Sequence, residues 1–286
     1  MTATAAPAAK YPKVQNYIGG KFVAAGGQVL EVLNPADGSL LSHVPLSGPP
    51  ELDAAVRAAA AAFPAWSART IKDRVQVFFR YRTLLERDAA ELAELIVEEH
   101  GKTRSEAEAE IAKAIELTEF ACSLPQIVTG EVLEVSRGVE CRTERHPLGV
   151  VASIVPFNFP SMVPNWTIPN AIALGNCLVL KPSELVPLSA GRLAELLAEA
   201  GLPAGVFSLV HGGREVVEAI CDHPGIAAVS FVGSTRVAQL VYRRGTASLK
   251  RVLALGGAKN HLLVLPDADL EMTSSNVVAS MSGCTG

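Results

Sequence analysis

The chain has 286 residues, 49% of them hydrophobic, and a net charge of −4 from 25 basic and 29 acidic side chains. That balance excludes a disordered chain, and a pI near 5.9 without a Lys/Arg-rich run excludes a basic nucleic-acid-binding surface. Apolar runs such as Val150–Val155 are far shorter than the roughly 18 residues a membrane-spanning helix needs, so no membrane span is expected.

Residues 1–16 read as a disordered start, Ala-rich but without the positive segment and long apolar core of a signal peptide. From Tyr17 to Ser47, short apolar runs alternate with Gly-Gly and Asn-Pro turns, the pattern of small strands. Pro49 and Pro50 open an Ala-rich helix through Phe63. Thr70 and Asp73 have capping-box spacing ahead of one long helix to about Glu99. Within it Val75, Phe78, Phe79, Leu84, Leu85, Leu92 and Leu95 recur at intervals of three and four. A third helix, Ser105 to about Cys122, would bury Ile111, Ile115 and Leu117 and turn the run Glu106–Glu116 to solvent. Gly130–Arg145 reads as two extended strands around a turn at Arg137-Gly138.

From Val150 short β-branched runs alternate with helical segments. Strands are expected at Val150–Val155, Cys177–Leu180, Val206–Val210, Ala227–Phe231 and Arg251–Leu255. Helices are expected at Pro160–Leu174, Ser189–Ala200, Arg214–Asp222 and Thr235–Arg244, and a last strand and helix at His261–Leu265 and Asp269–Ser282. This rhythm predicts an α/β fold with a doubly wound parallel sheet, whose ligands bind at the carboxyl ends of its strands.

Several residues at those ends could carry chemistry. Gly233 and Ser234 follow a strand and open a helix. Glycine there would let backbone approach a phosphate and the helix terminus would offer free N–H groups; an ordinary strand–helix turn with a Ser/Thr cap is the alternative. Neither G-x-G-x-x-G nor G-x-x-x-x-G-K-[ST] is present. Lys181 and Glu184 could grip ribose hydroxyls, with the glutamate repelling a 2′-phosphate, or they could belong to a solvated loop capped by Ser183. Asn158, between Phe157 and Phe159 and bracketed by Pro156 and Pro160, could donate its side-chain amide to a developing oxyanion, or simply form a turn.

His100, His146, His211, His223 and His261 share no metal-ligand spacing, so no metal site is expected. The five cysteines Cys122, Cys141, Cys177, Cys221 and Cys284 are widely spaced without a Cys-x-x-Cys pair. That pattern argues for a reducing, cytoplasmic compartment rather than a disulfide framework. Cys284, among small residues, is either an exposed reactive thiol or a free cysteine at a frayed end.

In order and spacing, Phe157-Asn158-Phe159-Pro160, Lys181-Pro182-Ser183-Glu184 and Phe231-Val232-Gly233-Ser234-Thr235 resemble the aldehyde dehydrogenase superfamily. Glu144–Val150 and Leu255–His261 followed by Pro266-Asp267-Ala268 resemble its CoA-acylating branch, the methylmalonate-semialdehyde dehydrogenases. The resemblance implies a Rossmann-like NAD-binding domain over residues 17–257, with an oligomerisation arm near 130–145, and the start of a catalytic domain at 258–286. It implies a dimer or tetramer. It places Lys181 and Glu184 on the adenosine ribose of NAD, Gly233 and Ser234 on the pyrophosphate, Val155 and Phe157 along the nicotinamide, and Gly256 at the cofactor. Asn158 would help form the oxyanion hole.

The resemblance also implies a cysteine nucleophile that forms a thiohemiacetal, yields hydride to NAD and leaves a thioacyl enzyme. Hydrolytic relatives carry a glutamate base in Glu-Leu-Gly-Gly. Leu255 stands there instead and cannot activate water, so CoA would take the acyl group as propionyl-CoA or acetyl-CoA with loss of carbon dioxide. The family nucleophile lies in Gly-Gln-Arg-Cys or Gly-Glu-Arg-Cys, and Gly286 aligns with that first glycine. The 286 residues therefore stop short of the nucleophile, Cys284 lies on the wrong side of the glycine, and the chain is expected to be inactive alone. A helix arginine that grips the substrate carboxylate in the subfamily is replaced by Lys113, which keeps the charge but not the bidentate fork. Leu185 takes the place of a basic residue common after Lys-Pro-Ser-Glu. Two other readings are a non-catalytic NAD-binding or assembly module and a hydrolytic dehydrogenase of another semialdehyde.

Overall fold

The structure, a computed structural model, describes residues 8–282. Cys284 and Gly286 lie outside the described residues. The small strands are β1 (Asn16–Ile18), β2 (Lys21–Val23), β3 (Val29–Leu33) and β4 (Leu40–Pro45). Four helices follow: α1 (Pro49–Ser67), α2 (Ile71–Arg87), α3 (Ala89–His100) and α4 (Arg104–Ile127). A hairpin of β5 (Glu131–Ser136) and β6 (Val139–Thr143) leads into the alternating half. That half runs β7 (Val150–Ile154), α5 (Met162–Ala173), β8 (Cys177–Lys181), α6 (Pro187–Glu199) and β9 (Phe207–Leu209). It continues through α7 (Arg214–Asp222), β10 (Ala228–Val232), α8 (Thr235–Ala247), β11 (Arg251–Leu255) and α9 (Leu270–Ser282).

The main sheet has the order β11-β10-β7-β8-β9-β1-β2. Its first five strands are parallel, and β1 and β2 extend it in antiparallel fashion. The expected doubly wound sheet is present, with that two-stranded antiparallel extension added. Every residue of β7 and β8 is buried, as expected of strands covered on both faces. The helices α1, α7 and α8 pack as one layer; α5 and α6, backed by α2 and α4, form the other. The connection β7–α5–β8 moves one way along the sheet, and the connection from β9 through α7 returns to place β10 on the other side of β7. That reversal opens a crevice at the carboxyl ends of β7 and β10.

Five expectations need correction. The long helix from Thr70 breaks at Asp88 into α2 and α3, because Asp88 leaves helical dihedrals (ψ 14°) and its carboxylate is held by Arg87 and Arg192. Thr70 does cap α2, accepting from the Asp73 amide. The third helix runs on past Cys122 to Ile127. His261–Leu265 forms no strand; no described strand lies beside it, and its apolar side chains are exposed, Leu263 at 91%. Nor is Glu106–Glu116 a wholly solvated face, since Glu110 is buried. Within the start read as disordered, residues 10–14 run along β4: the Lys10, Tyr11 and Val14 amides donate to the Leu40, Leu41 and His43 carbonyls.

Trp66 Nε1 donates to Ile172 O at 3.0 Å and Arg74 Nε to Ala173 O at 2.8 Å, so α1 and α2 satisfy orphan carbonyls at the end of α5. Gly205, ahead of β9, has φ +85°, and a Cβ there would lie 2.7 Å from the Ala58 carbonyl oxygen of α1. Gly205→Ala combines left-handed strain with a backbone clash and is expected to cost about 1–3 kcal/mol. A melting temperature equal to that of the parent chain contradicts this.

Candidate functional site

The parallel strands bring most of the sequence-predicted residues to one edge. Val155 follows β7 and Lys181 ends β8, and the Val155 amide donates to the Lys181 carbonyl at 3.1 Å. Gly233 follows β10 and donates its amide to Leu255 O at 3.1 Å, beside Gly256 at the end of β11. Thr235 Oγ1 accepts from the Gly257 amide at 3.0 Å and ties the two loops together. β10 lies against β7, in register from Ala228↔Val151 to Phe231↔Ile154, so all four loops lie at the same carboxyl edge of the sheet.

Lys181 and Glu184 pair with each other, Nζ to Oε2 at 2.8 Å, with their side chains 6% and 32% exposed. A part-buried ammonium beside a more open carboxylate can serve as donor and acceptor to a pair of vicinal hydroxyls. His211 lies fully buried nearby. Its burial, reinforced by the Lys181 charge, lowers its pKa to about 3 and keeps the imidazole neutral.

Ser234 is the N-cap of α8, and its hydroxyl makes no capping bond. The first turn of α8 carries no acidic residue. Its amides and the positive end of its dipole are therefore available to an anion. A Cβ on Gly233 would lie 2.6 Å from the Phe231 ring, and one on Gly256 would lie 3.2 Å from Thr235 Cα. Side chains at those positions would crowd the space beside the helix terminus.

Asn158 lies between β7 and α5. Its Oδ1 is buried and has no hydrogen-bond partner among the described residues. Phe157 is 38% exposed and stacks on His100, with centroids 6.2 Å apart. Lys113, half-exposed on α4, has an acidic partner on its own helix, Glu116.

Two features went unread in the sequence. Lys102 and Glu110 form an ion pair at 2.6 Å, with side chains only 1% and 0% exposed. Lys102 Nζ also donates to Asn158 O at 2.8 Å and lies 4.3 Å from the Phe159 ring centroid. Glu110 Oε1 accepts from the Ser161 and Met162 amides at 2.7 and 3.0 Å. Glu99, also buried, accepts from the Leu188 amide at 2.7 Å, from the Ser189 amide at 2.9 Å and from the Ser189 hydroxyl, at the start of α6. The signal for Glu110 was its place on the face of α4 that carries Ala107, Ile111, Ala114 and Ala121.

Among the described residues, no helix is long and apolar enough to cross a membrane, and no group of three His, Cys, Asp or Glu is placed to hold a metal ion.

Residues 22–286 match the aldehyde dehydrogenase family. The chain belongs to that family. It is 50% identical over 275 residues to malonate-semialdehyde dehydrogenase 2 of Geobacillus thermodenitrificans, covering 96% of this chain and 57% of that one. The chain therefore spans little more than half the length of this relative. Its fold superposes on methylmalonate-semialdehyde dehydrogenase of Oceanimonas doudoroffii with a TM-score of 0.91 at 43% identity, over 94% of this chain and 55% of that one. An NAD⁺ complex of an aldehyde dehydrogenase from Bacillus cereus gives 0.90 at 34% identity, over 95% and 56% of the two chains.

Proposed function

We propose that this aldehyde dehydrogenase chain supplies the NAD-binding half of a CoA-acylating semialdehyde dehydrogenase. The reading rests on one arrangement above all: the Lys181–Glu184 pair and the uncapped start of α8 lie at the carboxyl edge of one parallel sheet. A dinucleotide would lie along this edge with its adenosine ribose between Lys181 and Glu184, its pyrophosphate at Gly233 and Ser234, and its nicotinamide toward Val155 and Phe157. Gly256 keeps the floor free of side chain. NAD, when bound, supplies the hydride acceptor.

The chain's own contribution to the chemistry is to orient and stabilise. The Asn158 amide donates to the aldehyde oxygen as negative charge develops there. Leu255 holds the place of the hydrolytic base and leaves water unactivated. CoA is then the acyl acceptor, and malonate or methylmalonate semialdehyde the substrate, in keeping with the names of the relatives. Lys113 is proposed as a carboxylate contact of that substrate. Turnover is proposed for the whole protein.

The β5–β6 hairpin, with Val132, Leu133, Val135 and Val139 exposed, is proposed as an oligomerisation arm. Four free cysteines among the described residues suit a cytoplasmic setting.

Calorimetric titration tests the cofactor reading. The chain is expected to bind NAD and to discriminate against NADP, because Glu184 repels a 2′-phosphate. Lys181→Met removes a charged donor and is expected to weaken NAD binding about tenfold or more. Unchanged affinity in that variant, or a preference for NADP, contradicts the assignment.

A further inference from the structure

Among the described residues, nothing holds the buried oxygen of the Asn158 amide. What is held is the backbone on either side. Lys102 Nζ donates to the Asn158 carbonyl at 2.8 Å and rests over the Phe159 ring. Three and four residues on, Glu110 accepts from the Ser161 and Met162 amides. Ser161, the N-cap of α5, makes no side-chain capping bond, so Glu110 caps that helix from a distance. One buried ion pair thus grips the loop at a carbonyl on one side and at two amides on the other. His100, two residues before Lys102, adds its ring against Phe157.

We infer that the Lys102–Glu110 pair is the positioning device of Asn158, setting where its side-chain amide points by fixing the backbone across Asn158–Met162. The inference rests on the reading of Asn158 as the oxyanion donor. Neither Lys102 nor Glu110 needs to touch the substrate. An unpaired buried charge would be costly, which gives the pair a single rigid arrangement and the loop a single path.

The double variant Lys102→Met/Glu110→Gln leaves no buried charge unpaired and is designed to fold. The Asn158 side-chain amide resonances, assigned by their loss in Asn158→Ala, are followed by nitrogen-15 NMR in the full 286-residue chain. Asn176 is the internal control, since it has its own bonds to the Leu148 amide at 2.7 Å and the Ala171 carbonyl at 3.0 Å. The expected result is one sharp Asn158 pair in the parent chain and a broadened or split pair in the variant, with Asn176 unchanged. Hydrogen exchange at the Ser161 and Met162 amides is expected to quicken about tenfold or more. Glu110→Gln alone, which keeps an acceptor for those amides, is expected to show the same change to a smaller degree. An unmoved Asn158 pair in either folded variant overturns the inference. So does equal broadening of Asn158 and Asn176, which marks general loosening. NAD titration of the parent chain judges the cofactor reading separately, because the Asn158 signals are read without ligand.

Discussion

Lys102→Met is expected to destabilise the fold by about 3–5 kcal/mol, the range for removing one partner of a buried ion pair. The methionine fills nearly the same volume, so the loss is electrostatic rather than one of packing. It leaves the Glu110 carboxylate, whose side chain is 0% exposed, with only the Ser161 and Met162 amides, and it strips the Asn158 carbonyl of its donor. For a chain of this size the melting temperature should fall by roughly 10 °C. The double variant Lys102→Met/Glu110→Gln should regain much of that loss, because two neutral side chains of similar shape carry no desolvated charge. Thermal unfolding of the parent, Lys102→Met, Glu110→Gln and the double variant reads this as a double-mutant cycle. A single variant that melts with the parent, or a double variant less stable than the single, contradicts it.

The second large effect is a pH dependence set by Glu99. Burial pushes its carboxyl up to about 7, against the three donors from Leu188 and Ser189 and with a smaller push from Glu110. Unfolded, the same group has an ordinary pKa of 4.5. Between those values the folded chain holds a proton that the unfolded chain has released. The stabilisation is therefore complete below about pH 4.5 and is lost as the pH rises toward about 7, a change of roughly 3 kcal/mol. Glu99→Gln mimics the protonated carboxyl and keeps an oxygen for the α6 amides. The stability of the parent relative to Glu99→Gln is expected to fall between about pH 4.5 and about pH 7. Parallel curves, or a difference that grows with pH, contradict the assignment.

Much of the architecture is legible in the residues because each half carries its own periodicity. The mainly apolar runs Val150–Ile154 and Cys177–Lys181 announce strands covered on both faces, and the structure buries every one of their residues. Where local pattern misleads, a distant partner decides. Val264 and Leu265 have strand-forming neighbours in sequence but no adjacent described strand to complete a ladder. Asp88 ends a helix whose apolar spacing continues past it, because two arginines hold its carboxylate, one of them from α6. Glu110 sits in an acidic run that reads as solvated, yet its ion pair and both backbone donors come from outside α4.

The candidate site divides along the same line. Its loop motifs were readable, because each follows a strand directly and the parallel order of the sheet brings them to one edge. The pairing of Lys181 with Glu184 is local, three residues apart, and needed only the turn between them. The brace behind Asn158 was not readable, since Lys102 and Asn158 are 56 residues apart and meet only through the packing of α4 on α5.

The most direct test of the central claim is a crystal structure of the 286-residue chain grown with NAD. The account predicts density for the dinucleotide along the carboxyl edge of β8, β7 and β10, with its ribose hydroxyls on Lys181 and Glu184 and its pyrophosphate at the start of α8. A dinucleotide bound elsewhere, or none at a concentration that saturates the calorimetric titration, would contradict it.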